Sequence, residues 1–178
     1  MSEEVAPIAA RRHKFNVADK ADRTWGGIVF DSKVEMLVAQ ALILALPAGT
    51  LIYAQSKFQL LPKVVETTGK KSKVVYRETS YCADFVIKKP DAEHYMVLDV
   101  KGMETPEFKL KAKLFWHVWK RHVTTVKSVK GLTLIDWKAF DLHPDLEIFT
   151  SIKKRKSLLE NINPNELTKR ILDPTGKQ

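Results

Sequence analysis

From Asp31 the chain reads DSKVEMLVAQALILALPAG. Val34, Leu37, Val38, Ala41, Leu42 and Ala45 recur at helical spacing, Asp31 or Ser32 can cap the start, and Pro47 with Gly49 stops the run; a helix is expected here. Residues 50–60, TLIYAQSKFQL, have the β-branched and aromatic content of a strand, and VETTGKKSK reads as a polar turn leading into a longer strand, VVYRETSYCADFVI. That strand opens a hairpin, YCADFVIKKPDAEHYMVLDVKG. A second helix is expected in TPEFKLKAKLFWHVWKR, with Thr105 as cap, Pro106 at its first position and Glu107 at its positive end. Phe108, Ala112, Phe115 and Trp119 form its apolar stripe. VTTVKSV and LTLIDW, split by Lys130-Gly131, read as a closing pair of strands. Beyond Trp137, IKKRKSLLENINPNELTKRIL suggests one or two short helices, the second starting at Asn163-Pro164. This mixture predicts an α/β class with a central mixed sheet flanked by helices and a short helical C-terminal extension.

Composition narrows the setting. The 178 residues suit one domain of ordinary size, divided by the pattern into a polar arm (1–24), a core (25–137) and an extension (138–178). Hydrophobic residues at 44% and charged residues at 29% are those of a soluble globular chain, with no apolar run of about 18 residues to span a bilayer. The start lacks the apolar centre of a secretory signal and Cys82 has no partner cysteine, so a reducing cytoplasm is the expected location. The five histidines show no zinc spacing, and no Walker A or Rossmann glycine run implies a nucleotide cofactor. A net charge of +9 makes a polyanion such as nucleic acid the first partner to consider.

The chemistry concentrates in the hairpin. With a four-residue turn at Pro90 to Glu93, Lys89 faces His94, and counting back along an antiparallel ladder sets Asp84 opposite Asp99. Like charges at directly opposed positions repel, so something positive is expected between them. Strand alternation puts Asp99 and Lys101 on one face and Leu98 and Val100 on the other. Two readings are open on these residues: a cross-strand salt bridge on a solvated face, or a site that holds a cation.

An aspartate on one strand followed by Asp or Glu, any residue and Lys on the next, here CAD84 and LD99VK101, resembles the PD-(D/E)XK nuclease superfamily. The surrounding text, KFNVADKADRTWGGIVFDSKVE, AQSKFQLLP, YRETSYCADFVI and VLDVKGMETPEFKLKAKLF, is similar to short phage-encoded endonucleases predicted to act as Holliday-junction resolvases of the endonuclease I type. The similarity spans residues 14–129, with Ala83 where the superfamily name has proline. It implies a restriction-endonuclease-like core, a Mg²⁺ (or Mn²⁺) cofactor, a branched or duplex DNA substrate, a homodimer, and, for a phage-encoded chain, the bacterial host cytoplasm. It also implies that Asp84, Asp99, the Val100 carbonyl and Glu35 hold the metal, Glu35 directly or through water. Lys101 would orient and help deprotonate the attacking water or stabilise the transition state, leaving 5′-phosphate and 3′-hydroxyl ends. Ser32-Lys33-Val34-Glu35 is equally a capping box, in which Glu35 only closes the helix start. Lys109, Lys113 and Lys120 lie near one helical line and are either phosphate contacts or a solvated face. The implied function is a Mg²⁺-dependent, structure-selective DNA endonuclease. The rivals are a nicking or restriction-like duplex nuclease and a nucleic-acid-binding protein without catalysis.

Overall fold

A computed structural model describes residues 18–172. The arm expected at residues 1–24 therefore lies mostly outside the described residues. Its last part carries a 3₁₀ turn, Ala21–Arg23, and Arg23 donates to the carbonyls of Ala18 and Phe30. A minimal hairpin follows, β1 (Thr24–Trp25) and β2 (Ile28–Val29). Helix α1 runs Lys33–Ala45, capped by Ser32, and ends before Pro47 as the periodicity requires. Strand β3 is Leu51–Leu61, β4 is Val64–Thr68, β5 is Lys71–Tyr76, β6 is Thr79–Lys88 and β7 is Met96–Val100. Helix α2 spans Pro106–Trp119 with Thr105 accepting from the Phe108 amide, and β8 is Val123–Val126. Short helices α3 (Leu146–Thr150), α4 (Ile152–Glu160) and α5 (Pro164–Thr168) and a short strand β9 (Ile171–Leu172) are the last described elements.

Five strands form one mixed sheet in the order β8-β7-β6-β3-β9. The central pairs β3–β6 and β6–β7 are antiparallel, while β7–β8 and β3–β9 are parallel. Helix α1 covers one side. Its Val38, Leu42 and Ile43 pack with Ile52, Phe85, Ile87, Met96 and Leu98 from the sheet. Helix α2 covers the other, setting Phe108 and Phe115 against Leu60, Tyr81, Ala83, Val86 and Val97. Each helix thereby buries one stripe, the usual route to a layered α/β domain.

Three sequence expectations change here. The polar turn at VETTGKKSK is a separate hairpin, β4–β5, with the turn itself confined to Gly69 and Lys70, so the long strand expected from Val74 begins only at Thr79. LTLIDW is not a strand: Val129–Leu134 and Trp137–Phe140 are 3₁₀ turns. Val129 and Leu132, three apart, both face the core, the spacing at which 3₁₀ side chains eclipse. Residues 138–172 are mostly helical but are built into the domain rather than appended to it, with β9 joining the main sheet. Trp137, Leu142, Ile148 and Phe149 are buried in the α1-side core, and the Arg170 guanidinium donates to the carbonyls of Ile43, Leu46 and Pro47 at the end of α1. The Thr168 hydroxyl donates to the Gly26 carbonyl at 3.0 Å, where Gly26 holds a left-handed φ of +55° and a Cβ would meet Thr168 Cγ2 at 2.4 Å.

Candidate active site

The site lies where β6 and β7 part. Their ladder pairs Phe85 with Leu98, Val86 with Val97 and Ile87 with Met96, which is the register that sets Asp84 against Asp99 one step further on. The turn differs from the expected one. Pairing starts at Ile87–Met96, not Lys89–His94, and the connection carries Asp91 at φ +58°. Past Phe85 and Leu98 the strands follow different neighbours: β6 continues along β3 to Thr79, and β7 continues along β8 to Val100. In the resulting fork the Val100 amide donates to Asp84 Oδ2 at 2.6 Å, so a side chain takes the place of a ladder acceptor.

A local reversal of the pleat shapes the fork. Tyr81 and Ala83 belong to the α2-side cluster together with Val86, whereas Phe85 and Ile87 belong to the α1 side. The side facing α2 thus switches from odd to even residues across Asp84. On β3, Gln55 lies between the paired residues Ala54 and Ser56 and has φ +52°. A non-glycine residue in that region rotates the strand and re-aims its side chains.

Asp84 and Asp99 are both buried, at 8% and 0% exposure, which is rare for carboxylates without a compensating charge. Asp99 Oδ2 accepts from the Tyr81 hydroxyl at 2.5 Å. Asp99 Oδ1 forms an ion pair with Lys101 Nζ at 3.2 Å, and among the described residues no hydrogen-bond donor is well aligned on it. Burial first, and then the Asp99 carboxylate beside it, push the Asp84 pKa up to about 8 against the pull of the Val100 amide. Burial and the Asp99 carboxylate also raise the Tyr81 hydroxyl, which stays a neutral donor. For Lys101 burial acts to lower the pKa, but Asp99, Asp84 and Glu35 outweigh it and hold the ammonium charged. Its Nζ also lies 5.8 Å from the centre of the Phe108 ring.

Glu35 reaches this group from the first turn of α1 and is itself buried. Its carboxylate accepts from the Ser32 hydroxyl at 2.9 Å and the Asp31 amide at 3.2 Å, while Ser32 Oγ accepts from the Glu35 amide. The capping role is therefore realised, with the Asp31 amide in place of the Ser32 amide. Its pKa is raised chiefly by burial, and its charge acts on both Asp84 and Lys101. Among the described residues no three Asp, Glu, His or Cys side chains converge as a ready-made metal cage. The donor set suits a hard cation of the Mg²⁺ kind, which takes one or two carboxylates and completes its shell with phosphate and water. The two opposed, buried carboxylates, with Asp99 Oδ1 met by the Lys101 ammonium in an ion pair, are the observations that fit such an ion, with Glu35 held back by its cap.

The predicted phosphate contacts diverge. Lys109 and Lys113 are exposed on α2, whereas Lys120 leaves the helix in a left-handed conformation and lies over the Trp116 ring, 5.2 Å from its centre. Tyr81 was missed from the sequence. Plain alternation from Asp84 points Tyr81 to the opposite face, and only the pleat reversal brings it to Asp99. Among the described residues no helix is long and apolar enough to cross a membrane. No curated protein and no solved structure shows significant similarity to the chain. A family match covers residues 12–136, taking in β1 to β8 with Glu35, Asp84, Asp99, Tyr81 and Lys101; the chain belongs to the family described as Protein of unknown function (DUF1064).

Proposed function

We propose that the protein is a Mg²⁺-dependent endonuclease that hydrolyses DNA phosphodiesters at the β6–β7 fork, acting on branched DNA as a homodimer in the cytoplasm. The observation that carries this reading is the pair of buried, opposed carboxylates, Asp84 and Asp99, with an unbonded Asp99 oxygen and a charged lysine beside it. A salt bridge alone would need one carboxylate. The second carboxyl, Asp84, is pushed toward its protonated form by burial and by Asp99, and it ionises readily only when a further cation joins the fork.

Asp84 and Asp99 would hold the ion, with the Val100 carbonyl as the additional ligand that the resemblance implies and Glu35 acting through water. Bound there, Mg²⁺ supplies positive charge at the scissile phosphate and a water made nucleophilic at neutral pH. Tyr81 fixes Asp99 by donating to Oδ2, so that Oδ1, beside Lys101, would be the oxygen available to a bound ion. Lys101 is held charged by its three acidic neighbours, so in the metal-free protein it is a donor and a source of positive charge rather than a base. The Val100 amide anchors Asp84, so both carboxylates arrive pre-positioned and little ordering is left for substrate binding.

A cleavage assay on a labelled four-way junction, linear duplex and single strand, each with Mg²⁺ and with EDTA, tests the reading. Mg²⁺-dependent cuts concentrated on the junction are expected. Equal cutting of duplex would support a nicking or restriction-like nuclease, and binding without any cut would leave a nucleic-acid-binding protein.

A further inference from the structure

The β4–β5 hairpin stands apart from the rest of the molecule. Among the described residues its strands pair only with each other, and every residue from Val64 to Val74, like Tyr76, is exposed. Val65, Val74 and Tyr76 are 40%, 52% and 68% exposed, and with the neighbouring residues also exposed neither face is covered by the described residues. A two-stranded ribbon of this kind is marginal by itself and gains stability from what lies against it.

Charge selects the occupant. Residues 63–77 carry Lys63, Lys70, Lys71, Lys73 and Arg77 against the single acid Glu66. All five basic side chains are exposed, and among the described residues none is held in an ion pair. Lys71 and Lys73 share a face because their partners Thr68 and Glu66 are two apart, and Lys70 sits on the turn beside them. Nearby basic residues are by contrast engaged: Lys57 with Glu78 at the hairpin's base and Lys101 with Asp99. Unpaired cations on an uncovered ribbon fit a polyanion, and the major groove of a duplex, about 12 Å wide, admits a two-stranded ribbon.

Position adds the last element. The hairpin joins the end of β3 to the start of β6, and Thr79, where β6 begins, is five residues from Asp84 on the side toward which the fork opens. At about 3.3 Å per residue that is about 16 Å, and β4 adds about as much again. The tip therefore reaches duplex up to about 30 Å from the reacting phosphate, or about nine base pairs.

We infer that the β4–β5 hairpin is a DNA-binding arm that grips duplex to one side of the cleavage point through Lys70, Lys71 and Lys73. This rests on the phosphodiesterase reading for its substrate, but not for its test. The triple variant Lys70→Ala, Lys71→Ala, Lys73→Ala is compared with wild type by fluorescence anisotropy on labelled duplex in EDTA, over a range of salt. Circular dichroism melting confirms that both are folded. The arm predicts that affinity falls about tenfold or more, and that the slope of log K against log salt becomes shallower by about 2–3. Equal affinity and slope in the two proteins overturn the arm while leaving a nuclease reading intact. Arm-dependent binding by a protein that cuts nothing overturns the nuclease reading and leaves the arm standing. Loss of a wild-type dimer in the triple variant, seen by light scattering without DNA, would make a second copy of the chain the occupant and overturn the proposal.

Discussion

Replacing Asp84 by Asn removes one of two carboxylates that face each other in the fork, and the metal-free protein should gain stability. With Asp84 ionised, two unit charges about 5 Å apart would repel by about 3 kcal/mol at an effective dielectric of about 20, so near neutral pH Asp84 instead holds in the folded state a proton that the unfolded chain does not hold. Lys101, 3.2 Å from Asp99, offsets part of this, which leaves a gain of about 1–3 kcal/mol, or roughly 2–10 °C in melting temperature for a chain of this size. An asparagine oxygen can still accept from the Val100 amide, so that anchor is not lost with the charge. The sign with pH follows from the raised Asp84 pKa of about 8. An acid that keeps its proton in the folded state and loses it in the unfolded one makes stability fall as pH rises, from about 4 in the unfolded chain. The wild type should therefore lose ground to Asp84→Asn between about pH 4 and pH 8 and run parallel to it above. Mg²⁺ or Mn²⁺ should stabilise the wild type by linkage, worth about 2.7 kcal/mol at a hundred times the dissociation constant, and stabilise the variant less. Melting curves of both proteins in EDTA and in Mg²⁺ read all of this. If the variant melts lower in EDTA and neither protein responds to the ion, the fork is only an ion pair with Lys101 and the reasoning fails.

Tyr81→Phe strips Asp99 Oδ2 of its donor and should cost about 1–3 kcal/mol in urea denaturation, with weaker metal stabilisation alongside; an unchanged midpoint would show that the bond does not matter. Gly26→Ala forces a Cβ onto Thr168 at a left-handed φ and should destabilise by about 2–4 kcal/mol, since it pushes the α5–β9 segment off the β1–β2 turn; a neutral effect would mean that the docking of this segment is weak. Two paired cuts on a four-way junction need two sites, so light scattering should find a two-fold dimer on that DNA, and a strict monomer would favour the nicking alternative.

Much of the site could be read from the sequence because its pieces are local. Ser32 and Glu35 cap α1 through contacts three residues apart, and the Asp84–Asp99 register follows from a hairpin whose two arms are near in the chain. The features that escaped are those decided by the backbone or by distant packing. Gln55 takes a left-handed conformation that no glycine or asparagine announces, and with it the side facing α2 switches from odd to even residues and Tyr81 reaches Asp99. LTLIDW has strand composition, but burial of Leu132 and Trp137 against α1 folds it into 3₁₀ turns, with the Trp137 indole donating to the Leu132 carbonyl. The residues beyond Trp137 read as a short helical extension and not as part of the core because their anchors are sparse: Ile148, Phe149 and Arg170 are separated by charged helix surface.

The most direct test of a cation site that cuts DNA is a single comparison of binding and cleavage in Asp99→Asn. With Mg²⁺ and a four-way junction, the variant should bind with wild-type affinity, because Asp99 is buried away from the basic surface, and should release no product over a time in which the wild type cuts to completion. Cleavage at the wild-type rate by Asp99→Asn would contradict the account, since Asp99 is one of the two buried carboxylates on which the cation site is built.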